Sequence, residues 1–329
     1  MLIWCLGSSQ LKVFRMLCGL ETARREYGKS LATGLGVSES VVSRSLKSLA
    51  EKKLVVVSRS GKRNQTVVSD APHALALKAF LAASPHVSES VLAHSNIRVL
   101  SGLLFPNASV ARVKRLGFLP EITVRRVLCK LLDAGVVGRR SPTDYYILLP
   151  GLKKAVGEYV SFAVMQSGQD VPGSLVVRGP FGFLRTTSAE RASSLMKPTG
   201  LSVLNKFGVE IVQTDFKDYY YNVFGTVKKP GLEKAVVHAL LRSTALPSAR
   251  EASYALLALY KNRGNVDKEK FLAIAGDLGV ESIARQALVF VKAFAGGRKA
   301  PAWLEEDFQT AEGLFPVVED FRELVTQYG

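Results

Sequence analysis

Ser40, Ser43, Arg44 and Lys47 are spaced to gather on one side of a helix that turns about 100° per residue. Hydroxyls and permanent cations suit hydrogen bonding to base edges and neutralisation of phosphates. Elsewhere the residues that could support catalysis form incomplete sets. Asp215-Phe216-Lys217 has the acid-x-Lys form that ends a nuclease metal site. Such a site needs a second carboxylate upstream to hold a divalent ion, and between 174 and 208 the sole acid is Glu190. Arg178-Gly179-Pro180-Phe181-Gly182 lacks the Gly-Lys-Ser/Thr ending of a phosphate loop. His73, His86, His94 and His238 have no metal-ligand spacing and read as surface or satisfied core histidines. Tyr219-Tyr220-Tyr221 with Phe224 could stack bases, but fits better a strand buried on one face. No catalytic residue, metal site or cofactor is expected, and the chain does not read as an enzyme.

The elements that must position the first four residues can be traced on either side of them. Apolar Leu11, Val13, Phe14, Met16, Leu17 and Leu20 predict an opening core helix over 9–21, and a short helix is expected over 29–33. Gly34-Leu35-Gly36 reads as the turn that ends it. Ser38 is placed to cap the next helix with its hydroxyl. On that helix Val42, Leu46 and Leu49 recur at core spacing, opposite the polar and basic face. Two β-branched strands, 54–58 and 65–69, then flank a Gly/Asn turn carrying Arg59, Lys62 and Arg63. The order helix, helix, helix, basic hairpin predicts a winged helix-turn-helix.

The pattern returns 82 residues later: Arg126 matches Arg44, Leu128 matches Leu46, Leu131 matches Leu49 and Val136 matches Leu54. Pro120 falls opposite Ser38, where its fixed φ suits a helix start. Val124, Leu128 and Leu131 make the expected core stripe, with Arg125, Arg126 and Lys130 on or beside the outer face. A short helix over 109–116 adds Arg112, Lys114 and Arg115. The second hairpin, 136–140 and 145–149, carries Arg139 and Arg140 at its base rather than at its tip. Ile122 and Cys129 interrupt the polar face, so this second copy is the weaker candidate for nucleic-acid contact.

Charge follows the duplication. The chain carries 44 Lys+Arg against 28 Asp+Glu, a net +16. Residues 1–150 hold 22 basic and 9 acidic residues, net +13, whereas 151–329 hold 22 and 19, net +3. A surplus confined to the half with the repeated pattern is better explained by a phosphate-facing surface than by solubility. Cys5, Cys18 and Cys129 are too scattered for a disulfide framework or a zinc site. The apolar start MLIWCLGSSQ lacks a basic leading region and reads as core rather than signal peptide. A cytoplasmic protein that does not span a membrane is the expectation.

Downstream, a helix is expected over 151–166 and a linker over 167–173. Strands follow over 174–177, 182–186, 209–214 and 219–223. Helices are then expected over 231–243, 251–262, 267–278 and 281–295, with further segments near Trp303 and Val317. Ser248 and Glu251 have capping-box spacing. The predicted fold is α+β but mainly α. Two tandem winged helix-turn-helix domains, 1–85 and 86–166, precede an α+β module over 174–329 that ends in a helical bundle and serves dimerisation or sensing.

The run SESVVSRSLKSLAEKKLVVV resembles the helix-and-wing segment of MarR- and ArsR-type regulators: Ser/Thr, valine, Ser-Arg, then two spaced leucines before a wing. By position, the resemblance implies that Ser40, Ser43, Arg44 and Lys47 face the groove and that Lys62 and Arg63 touch the backbone beside it. Pro230-Gly231-Leu232-Glu233-Lys234-Ala235, followed by Asp267, Phe271 and Ala275, resembles the C-terminal region of AbiEi-type antitoxins of abortive-infection loci. The second helix-and-hairpin copy and the long middle segment depart from the shortest members of that family. The leading expectation is a homodimeric, double-stranded DNA-binding transcriptional regulator. A plasmid or viral replication initiator and an antitoxin-type protein that binds a toxin through its C-terminal module remain the alternatives.

Overall fold

Four apolar side chains, Leu11, Val13, Phe14 and Leu17, drive the first helix, α1 (Ser8–Gly19), into a core shared with α2 (Gly28–Leu35) and α3 (Glu39–Glu51). These elements come from a computed structural model that describes residues 4–19, 28–60, 63–106, 108–210, 215–296, 315–316 and 318–328. The fold is mainly helical. It divides into two compact units, Met1–Gln166 with Val223–Gly225, and Ser167–Asn222 with Thr226–Gly329.

In the first unit, α2 runs through Gly34 and Leu35 instead of ending before them. A Cβ on Gly34 would stand 2.2 Å from Cε of Met16, so the glycine gives room to α1. The turn itself falls to Gly36, whose φ of +63° is the left-handed conformation glycine adopts without strain. Ser38 starts α3 in extended geometry, but its hydroxyl pairs with that of Ser40 at 3.0 Å and not with a helix N–H. β1 (Val55–Ser60) and β2 (Arg63–Val68) pair antiparallel from Val55↔Val68 to Ser60↔Arg63. Next comes α4 (Pro72–Ala83), with proline in the first turn.

The order then repeats as α5 (Ser95–Gly102), α6 (Val110–Gly117), α7 (Glu121–Asp133), β3 (Val137–Ser141) and β4 (Asp144–Ile147). Arg15 of α1 joins the two copies: its guanidinium donates to the carbonyls of Val87 at 2.7 Å and Pro85 at 2.6 Å, and to Glu89 at 3.0 Å. α8 (Pro150–Gly168) buries Val156, Tyr159, Val160, Ala163 and Val164 completely. Its Tyr159 hydroxyl donates to the Trp4 carbonyl at 2.9 Å, and its Phe162 ring stacks on His73 of α4 at 3.7 Å. Both helix-and-hairpin copies therefore belong to one compact unit.

The second unit opens with β5 (Ser174–Arg178) and β6 (Phe181–Thr186), and adds β7 (Lys197–Pro198) and β8 (Lys217–Asn222) in the antiparallel order β5-β6-β8-β7. β7 and the 3-10 segment Gly200–Phe207 that follows were not expected. Of the expected strand 209–214, Val209 and Glu210 are not strand, and 211–214 lie outside the described residues. α9 (Leu232–Ala245) and α10 (Ala249–Lys261) are buried nearly all round and pack together as the middle of the unit. α11 (Lys268–Leu278), α12 (Glu281–Ala295) and a last helix, Val318–Tyr328, complete it. Trp303 and Val317 lie outside the described residues.

Candidate nucleic-acid interface

On α3 the buried side is Val42, Ser45 and Leu49, with Leu46 half-buried. Ser45 is 4% exposed and takes a place that the core periodicity gave to Leu46. Ser38, Ser40, Ser43, Arg44 and Lys47 are exposed. Nε of Arg44 lies 3.3 Å from the Ser40 carbonyl, so the guanidinium folds back along its own helix. Among the described residues neither Arg44 nor Lys47 is in an ion pair. β1 follows α3 after only a short turn. Arg59 pairs with Asn64 and Arg63 with Ser60 in the hairpin ladder, and Lys62 lies outside the described residues.

The base of α3 is braced by polar contacts. Ser48 accepts from Gln10 of α1 at 3.0 Å and from Lys52 at 2.6 Å. Lys52 is buried, which lowers its pKa, and its carbonyl bonds to Nε2 of His73 at 2.9 Å. Lys52 is thus a structural cation, spent inside the unit rather than offered to solvent.

α7 differs from α3 in how its charges are used. Val124, Val127, Leu128 and Leu131 are buried, and Pro120 stands at the N-cap. Arg125 is exposed but committed: Nε and Nη2 donate to Oε1 of Glu121 at 3.0 and 2.8 Å. Those hydrogen bonds and the Arg125 charge hold the Glu121 carboxyl below the usual carboxylate range, with Lys114, 3.8 Å away, adding to the effect. Arg139 is tied into its own turn, donating to the carbonyls of Ser141 at 3.0 Å and Pro142 at 2.7 Å. Its guanidinium carbon lies 5.6 Å from the Tyr145 ring centre, and that of Arg140 lies 4.8 Å from the Tyr146 ring centre. Arg126 and Lys130 are exposed, as are Cys129 and Ile122, the latter to 78%.

One residue expected among the surface charges is not there. Arg112 of α6 is 8% exposed; it donates to the Pro106 carbonyl and lies 5.1 Å from the Phe105 ring centre. An amphipathic side chain can bury its stem and satisfy its head against backbone, which the sequence pattern of α6 does not reveal. Arg98 of α5, unremarked in the sequence, does similar work: buried, it donates to the carbonyls of Gly117 at 2.7 Å and of Phe118, where the chain turns from α6 to α7. It fixes the turn that aims α7.

The residues weighed for catalysis are not gathered. Asp215 and Phe216 are exposed, and Asp218, two strand residues on, is buried against Arg185. Among the described residues no group of three or more His, Cys, Asp or Glu is placed to hold a metal ion. Tyr220 and Tyr221 are both buried, so β8 is covered on both faces and not on one; the sheet order puts it between β6 and β7. In the run 230–235, Glu233 accepts from Lys270 Nζ at 2.9 Å and from the Asp267 N–H at 3.4 Å, joining α9 to the start of α11. Phe271 and Ala275 are fully buried. Among the described residues no helix is long and apolar enough to cross a membrane.

No protein-family model matches this chain, and no curated protein matches it.

Proposed function

We propose that the chain binds double-stranded DNA, most simply as a transcriptional regulator, and that its first helix–helix–helix–hairpin segment is a winged helix that does the reading. The observation that carries this is the outer face of α3. Two exposed cations that enter no ion pair among the described residues stand with small hydroxyl side chains on a helix braced from beneath and followed directly by a two-stranded hairpin. A helix entering a major groove about 12 Å wide needs small polar and cationic side chains at that surface. The concentration of net charge in residues 1–150 and the resemblance to MarR- and ArsR-type segments support the same reading. The segment over α5–β4 shares the element order, but most of its arginines are engaged within the protein, so it adds phosphate contact more than readout.

The test is selection of bound sequences from random duplex, followed by titration of the preferred site. Arg44→Ala with Lys47→Ala should abolish the preference and flatten the slope of log affinity against log salt by about two, one for each lost phosphate contact. A double variant that binds the selected site as tightly as the parent overturns the assignment.

A further inference from the structure

Within the second unit, the end of α10, the start of α11 and the second half of α12 enclose a groove of about 350 Å³. Leu288, Val291, Lys292 and Ala295 recur along α12 at i, i+3, i+4 and i+7, which sets them along one stripe of the helix. Leu259 and Val266 close the apolar floor. Apart from Val289 the rest of the lining is cationic, Arg263 and Lys268 joining Lys292, and among the described residues no carboxylate lines the groove. Arg263 is held in place, its guanidinium carbon 4.8 Å from the Tyr260 ring centre and Nη1 donating to the Tyr260 carbonyl at 3.0 Å. Among the described residues Lys268 and Lys292 are exposed and enter no ion pair.

We propose that this groove binds a small organic anion with an apolar body and a single anionic head, such as a medium-chain carboxylate. The apolar floor gives nothing to a fully hydrated inorganic anion, whereas three cations at the rim gain only from a charged ligand. The volume lies at the lower end of the range for small-molecule sites. An amphipathic helix would need anchors spread over several turns, which a groove of this size does not offer. The site is independent of the DNA reading and stands or falls without it.

Calorimetric titration of the full chain with decanoate and with decanol, both below their micellar or solubility limits, tests it. One decanoate per chain should bind, about tenfold or more tighter than decanol. Lys268→Gln with Lys292→Gln should weaken decanoate by about tenfold and leave decanol unchanged. Leu288→Trp, which fills the floor, should weaken both. Equal affinity for the acid and the alcohol, binding that does not saturate at one per chain, or a double glutamine variant that binds decanoate as the parent does would each overturn the proposal.

Discussion

Arg125 on α7 gives two hydrogen bonds to one oxygen of Glu121, a turn earlier on the same helix, at 3.0 and 2.8 Å. Arg44 on α3, the counterpart of Arg126, has no such acid among the described residues; its Nε lies 3.3 Å from the Ser40 carbonyl of its own helix. Position 39 is glutamate in the first copy as 121 is in the second, but it lies five residues before Arg44 and four before Ser43, out of helical register with the arginine. The second copy keeps Arg126 opposite Arg44 and adds Arg125 where the first copy has Ser43, and it is this added arginine that stands at i,i+4 from Glu121.

Glu121→Gln should therefore release the Arg125 guanidinium from its ion pair. Binding to duplex of random sequence should strengthen, and the slope of log affinity against log salt should steepen by about one. Arg125→Ala in the parent should leave that slope unchanged, because the side chain is already neutralised. Gel-shift titrations over a series of salt concentrations measure both. An unchanged slope in Glu121→Gln would place Arg125 away from phosphate.

Local signals carried well where they depend on neighbours in sequence. Core stripes, the N-cap position of α3, the proline start of α7 and the change from helix to hairpin all appear in the chain as spacing. What spacing could not show is which partner a polar group takes across the fold. Ser45 is buried on α3 and Leu46 only half-buried, a difference that the spacing of apolar residues does not carry. Arg112 and Lys52 look like surface charge and are buried. Ser248 does cap α10, accepting the Glu251 N–H at 3.4 Å, but the Glu251 carboxylate completes no capping box; it turns to Arg185, 66 residues away. The rim of the α10–α12 groove is drawn from three elements and has no signature in any one of them.

Arg185 is the centre of the second unit's polar core. From β6 it donates to both carboxylate oxygens of Asp218 on β8, at 2.7 and 3.0 Å, and to Glu251 on α10. Burial opposes its charge, but the hydrogen bonds and charges of the two acids outweigh it and raise its pKa. Arg242 of α9 lies beside the pair, its Nε 3.7 Å from Asp218, with its own pKa lowered by burial and by Arg185. Two guanidiniums balanced by two carboxylates can be buried together; two guanidiniums against one cannot be held at the same cost. Asp218→Ala should destabilise the fold by about 3 kcal/mol. Urea unfolding followed by circular dichroism checks this as a lowered midpoint at constant slope.

Two glycines should respond in opposite directions to the same substitution. A Cβ on Gly173 would lie 2.0 Å from the Arg185 carbonyl oxygen, which is fixed in the β5–β6 ladder by the Ser174↔Arg185 pair. Backbone must move to admit it, so Gly173→Ala should cost about 1–3 kcal/mol. Gly157 lies inside α8 with nothing within 4 Å of a Cβ. Gly157→Ala should stabilise by about 0.5–1 kcal/mol through helix propensity and a less flexible unfolded chain. Thermal melts of the two variants beside the parent decide the signs.

His238 and His73 give the fold an acid limit. His238 is enclosed by the Phe183 and Tyr220 rings, 4.8 and 4.7 Å away, with Nδ1 2.6 Å from the Thr199 hydroxyl; burial and then the Lys234 charge push its pKa well below the usual value. His73, stacked on Phe162, is lowered by burial against the raising effect of its bond to the Lys52 carbonyl. For each, the unfolded chain takes up a proton more readily than the folded one. Their contribution is therefore fully present above the unfolded value of about 6.5 and is lost as pH falls from there toward the folded value. The melting temperature of the parent should decline as pH drops below about 6.5, before most carboxylates titrate. His238→Gln should melt lower at neutral pH, having lost its fit between the rings, yet decline less steeply on acidification. Parallel declines in parent and variant would show that the acid sensitivity arises elsewhere.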